Sequence, residues 1–149
     1  MKLLVLKYQV IMFIIMVIVG MLFNPMNVLA YRFSDLYISL TLFYGGLLMA
    51  SNMMWAHELV HYFSMGQFNK MVFFIGIFLS ISVSIFLLRK QLYVDEKQWL
   101  KRMISHHSTA LTTSYKIHAS TESMKIKQLA NEIINTQERE IKLMKSMLF

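Results

Sequence analysis

The sequence has no cysteine, so disulfides, thiolate metal sites and thiol catalysis are excluded. Charge is also scarce: 15% of residues are charged and 56% are hydrophobic. That balance is foreign to an ordinary soluble domain and typical of an integral membrane protein. Acidic residues are the rarer sign, 8 against 15 Lys and Arg, giving a net charge of +7. The basic residues flank apolar runs or alternate with Glu, and none interleave with aromatics as on a nucleic-acid platform. Attraction to anionic lipid headgroups accounts for the charge, and no nucleic-acid partner is expected. The single proline, Pro25, cannot continue a helix interior.

What the chain has in quantity is apolar surface and methionine, 14 residues of it. Met is a flexible core filler or a supply of soft thioether ligands for Cu(I), and position must decide between them. Apolar residues fill positions 1–88, and most charges follow Arg89. The sequence therefore divides into a membrane domain, residues 1–90, and an aqueous domain, residues 91–149.

Three apolar runs are long enough to cross a bilayer, at about 3–23, 36–60 and 71–88. Asn24-Pro25 ends the first, which also resembles a signal peptide through Lys2, Lys7 and Val28-Leu29-Ala30. Ser34 or Asp35 can cap the second, and Arg89-Lys90 marks the water boundary of the third. Three spans make a multi-pass protein with its termini on opposite sides. The positive excess at Arg32, Arg89, Lys90, Lys97, Lys101 and Arg102, over Lys2, Lys7 and Lys70, favours a cytoplasmic C-terminal domain.

That domain reads as an amphipathic αα-hairpin, with helices at about 94–118 and 122–148. Asp95 can cap the first helix. So small a hairpin buries little alone, and pairing of two copies into a four-helix bundle would bury more. A homo-oligomer is therefore expected. Met103, His106 and His107 lie on the first arm. On the second, Gln137, Glu140 and Met144 interrupt or flank the apolar stripe. An inward polar group needs a partner. Either a His–Gln or His–Glu hydrogen bond, or a metal ion between Met103, His106 or His107, and Met144, would supply one.

Met103-Ile104-Ser105-His106-His107, followed by a short polar and alanine-containing stretch, resembles the M-I-P-H-H signature of the "domain of unknown function 305" family. Leu129-Ala130, Ile133-Ile134, Gln137, Glu140-Ile141 and Met144 resemble its second signature. The three spans resemble a membrane-anchored subgroup of that family. The resemblance implies a ferritin-like helical bundle and, in some members, copper binding through His and Met. It points to Met103, His106, His107 and Met144 as ligands, with Gln137 and Glu140 in support. Ser105 replaces the usual proline, and Thr113 stands where many soluble members have Met.

Two further patterns lie in the second span. His57-Glu58-Leu59-Val60-His61 matches H-E-x-x-H, in which two His bind zinc and the Glu is general base. An intramembrane metalloprotease of this type would need a third ligand, and none is evident within the spans. Met49, Met53, His57 and His61 recur at every fourth position and would form a soft ladder for Cu(I), a secondary metal candidate. The expectation is an all-α membrane protein without enzymatic activity, its hairpin binding copper for homeostasis or sequestration. The alternative is a metal-free assembly protein in which His106, His107, Gln137 and Glu140 fix hairpin pairing.

Overall fold

A computed structural model describes residues 2–148, with side chains from Lys7 onward. All regular elements among the described residues are helical. In order they are α1 (Lys2–Leu22), α2 (Pro25–Val28), a 3-10 turn (Phe33–Asp35), α3 (Leu40–Met65), α4 (Lys70–Ser82), a π-helical segment (Val83–Arg89), α5 (Glu96–Ser120) and α6 (Met124–Leu148). They form two compact units: residues 1–22 with 40–93, and residues 23–39 with 94–149.

The first unit packs α1 and α4 against α3. Glycines set the closeness of both contacts. A Cβ on Gly46 would lie 2.7 Å from the Val17 carbonyl oxygen, and one on Gly76 would lie 2.9 Å from the Trp55 nitrogen. Small residues of this kind let helix backbones meet where lipid competes for side-chain contact. Asn69 caps α4 by accepting from the Val72 amide at 3.3 Å. The last turns before Lys90 are π-helical. Gln91 and Tyr93 then take positive φ, 49° and 59°, a costly conformation for residues with a Cβ. The start of α3 holds this turn: Thr41 Oγ1 donates to Gln91 Oε1 at 2.8 Å, and the Tyr44 hydroxyl donates to the Leu92 carbonyl at 2.6 Å.

Among the described residues two segments, Lys7–Val28 and Lys70–Arg89, are long and apolar enough to cross a membrane. The second helix of the unit, α3, starts at Leu40 rather than near residue 36, and runs on to Met65. Neither Ser34 nor Asp35 caps it, because both belong to the other unit.

In that second unit α5 and α6 form the expected hairpin. The Asp95 side chain accepts from the Gln98 amide at 2.7 Å, so the expected cap is present. The arms bury Leu100, Ile104, Leu111, Ile134, Ile141 and Met144 between them, with Tyr37, Met103 and Leu148 packed alongside. Residues 23–39, which composition groups with the membrane spans, instead form a strap along α5. Two serines on the buried side of α5 explain why. Ser105 Oγ donates to the Asp35 carbonyl at 2.8 Å, and Ser108 Oγ donates to Asp35 Oδ2 at 2.7 Å. Ser108 Oγ also accepts from the Tyr31 amide at 2.9 Å. Lys145 reaches over from α6 and donates to Asp35 Oδ1 at 2.6 Å. Asp35 is wholly buried, and a buried carboxylate persists only when paired and hydrogen-bonded. At the strap's edge Arg32 holds Glu138 through both carboxylate oxygens, at 2.5 and 3.0 Å.

Candidate functional site

Adjacent positions on a helix point about 100° apart, so His106 and His107 cannot share a direction. His107 is half-buried between the arms, and His106 is exposed; their ring centroids lie 5.8 Å apart. His107 Nδ1 is 3.0 Å from Glu140 Oε2. The approach is close, but the nitrogen is out of line for a hydrogen bond and has no aligned partner. One turn back on α5 is Met103, and one turn on along α6 is Met144. In an antiparallel hairpin the His107–Glu140 register sets those two opposite each other. Met144 belongs to the buried cluster, and Met103 packs against it. Gln137 is half-buried one turn before Ile141.

Burial is the main influence on His107 and pushes its imidazole below the ordinary value of 6.5. Glu140 opposes that shift, and the neighbouring His106 adds to it. The ring is therefore neutral at pH 7, the form that can offer a lone pair. Among the described residues no three His, Asp or Glu side chains are grouped to hold a metal ion. Any ion between these arms would thus draw on the thioethers. Imidazole and two thioethers are a soft donor set, matched to Cu(I) rather than to a hard cation.

Thr113 is exposed, and its hydroxyl donates to the Ala110 carbonyl at 3.1 Å. Ser105 and Ser108, which stand inside the first signature, are occupied by the strap. Sequence reasoning assigned neither of them, nor Asp35, to a partner. The available signal was the replacement of an expected proline by a hydroxyl at Ser105.

The candidate residues on α3 divide into two places. Met49 and Met53 line one groove with Met16, Asn52 and Trp55. His57 and His61, with ring centroids 4.2 Å apart, line a different cavity with Gln9 and Glu58. A ladder at every fourth residue drifts around a helix with 3.6 residues per turn, which separates its methionines from its histidines. Glu58 is buried; it accepts from Gln9 Nε2 at 3.4 Å and from the Asn69 amide at 2.9 Å. Both carboxylate oxygens therefore hold the fold together, α1 to α3 and α3 to the start of α4.

The family model for the Domain of unknown function (DUF305) matches residues 88–148, which contain the whole α5–α6 hairpin. "Uncharacterized protein L153" of Acanthamoeba polyphaga mimivirus is 37% identical over 125 residues, covering 84% of this chain and 81% of that protein. The chain belongs to the DUF305 family. The match to the viral protein is longer than the hairpin, so the likeness extends into the apolar part of the chain. No solved structure matches.

Proposed function

We propose that this chain is a multi-pass membrane protein that holds copper, as Cu(I), between the arms of its DUF305 hairpin. The role is sequestration or homeostasis rather than catalysis. Three helices, α1, α3 and α4 with its π-helical extension, would span the bilayer. Met103, His107 and Met144 are the proposed ligands. Exposed His106 would receive the ion at the edge, and Glu140 and Gln137 would orient the imidazole. One observation carries this reading: half-buried His107, whose affinity for a proton is lowered by burial, sits one turn from Met103 on an arm packed against the core that holds Met144.

Apolar residues on α6, among them Leu129, Leu143 and Met147, remain exposed. They recur at heptad-compatible intervals and would let a second copy complete a four-helix bundle. The closeness of Glu140 to His107 favours the second reading, a metal-free protein in which this polar pair sets the register of assembly.

Competition between the detergent-purified full chain and a Cu(I) chelator of known affinity separates the two. Copper binding predicts about one equivalent of tight Cu(I) per chain. Met103→Leu and Met144→Leu remove sulfur while nearly conserving volume. Each should weaken binding by about tenfold or more, for a loss of about 1.4 kcal/mol or more. No Cu(I) uptake by the wild-type chain would overturn the proposal and leave the assembly reading.

A further inference from the structure

A cavity of about 1050 Å³ lies in the first unit, walled by α1, the end of α3 and the turn into α4. Its inner end is polar in a setting where polarity is costly. Gln9 is 7% exposed and Glu58 is 4% exposed. The Gln9 amide gives its nitrogen to Glu58, which leaves Gln9 Oε1 buried without a partner. His57 Nδ1 is likewise buried and unpartnered. Buried polar atoms are almost always paired, so two orphans on residues that line one cavity point to something that donates hydrogen to them once the Gln9 and His57 side chains turn toward it. An amide oxygen can only accept, and an imidazole nitrogen accepts when its ring hydrogen is on the other nitrogen. The Glu58 carboxylate beside them favours a cationic donor.

The opposite charge is supplied by other lining residues. Lys7 and Lys70 both line the cavity, as do Ile11, Phe68 and Met71. Lys70 begins the second of the two segments long enough to span a membrane, and Lys7 lies in the second turn of α1. In a bilayer Lys70 would lie at headgroup depth, and the ammonium of Lys7 would reach it along its own flexible stem. The cavity thus offers acceptors for an N–H-bearing cation, ammonium groups for an anion, and an apolar wall.

We propose that this cavity binds the phosphoethanolamine headgroup of a phospholipid. Its ammonium donates to Gln9 Oε1 and His57 Nδ1 near Glu58, its phosphate meets Lys7 and Lys70, and its acyl chains leave along the apolar wall. This inference rests on the membrane reading above. It distinguishes ethanolamine from choline, which carries the same charge without an N–H.

The test is intact-complex mass spectrometry of the full chain in detergent, incubated with equimolar dioleoyl phosphatidylethanolamine, phosphatidylcholine and phosphatidylglycerol. Phosphatidylethanolamine should be retained about tenfold over either rival, the ratio expected for about one net hydrogen bond. Gln9→Leu should reduce the preference. The wild-type chain gives a second readout that needs no variant: retention should fall stepwise through mono-, di- and trimethylated ethanolamine lipids. Equal retention of phosphatidylethanolamine and phosphatidylcholine overturns the proposal, as does phosphatidylglycerol held as strongly as phosphatidylethanolamine. Release of the chain from carbonate-washed membranes would overturn the membrane reading and this inference together; equal lipid retention by a chain that resists carbonate overturns this inference alone.

Discussion

The Asp35–Lys145 pair offers the sharpest test of how the second unit is held. The Asp35 side chain is 0% exposed and that of Lys145 is 30% exposed, so the partners should tolerate loss unequally. Lys145→Met strips the buried carboxylate of its counter-charge and leaves it the Ser108 hydroxyl. Orphaning a buried charge costs about 3–5 kcal/mol. Asp35→Asn keeps the size and an acceptor for Ser108, and the freed ammonium can turn to water. That change should cost about 1.5–3 kcal/mol, one charged hydrogen bond. Once Asp35 is Asn, removing Lys145 should add little, so the double variant should fall short of the summed singles by about 3–5 kcal/mol, nearly the whole cost of Lys145→Met. Hydrogen exchange of peptides covering residues 23–39, in the full chain in detergent, reads this directly. The Tyr31 and Tyr37 amides are held by Ser108 and Ser105 and should lose protection by more than tenfold in Lys145→Met. Equal, additive effects of the two substitutions, or unchanged protection, would refute the argument.

Other expectations concern the rest of the molecule. Folded His107 binds its proton more weakly than the unfolded ordinary imidazole. Between the two values the unfolded chain carries more protons, so hairpin stability is full above about pH 6.5 and declines as pH falls toward the folded value; acid unfolding of wild type against His107→Gln measures that difference. Gly46→Ala should loosen the α1–α3 contact by about 1–3 kcal/mol, because its new methyl meets the Val17 backbone, and detergent thermal unfolding reports it. Met144→Ala should destabilise the hairpin by about 2–5 kcal/mol through a cavity in the core, while Met144→Leu should unfold within about 1.5 kcal/mol of wild type. Chemical denaturation of both separates packing from the ligand role.

The hairpin was legible because its apolar positions recur with helical period and Asp95 sits where a cap belongs. The same periodicity turned one of His106 and His107 toward the second arm, and left open which one and whether Gln137 or Glu140 would meet it. The strap was not legible. It has neither period nor apolar run, and its bonds span 70 residues from Asp35 to Ser105 and 110 from Asp35 to Lys145. A buried aspartate looks like a surface one until its partners are placed. Ser34 and Asp35 suggested a helix start because short polar residues suit caps, but tertiary pairing with α5 took precedence. In the first unit, Gln9 is a polar residue within an apolar run. Its partner Glu58 was instead read through H-E-x-x-H, a pattern that says nothing of the amides that occupy its oxygens.

The reach of Lys145 also bears on the order of assembly. Asp35 leaves the ribosome 110 residues before the lysine that neutralises it, and Ser105 and Ser108 come well before that lysine. The strap can be threaded and partly hydrogen-bonded while its carboxylate still lacks a counter-charge. Closure of this unit must await almost the last turn of α6. A chain stopped a few residues short would keep every apolar helix as well as His106 and His107, yet leave its strap unfastened.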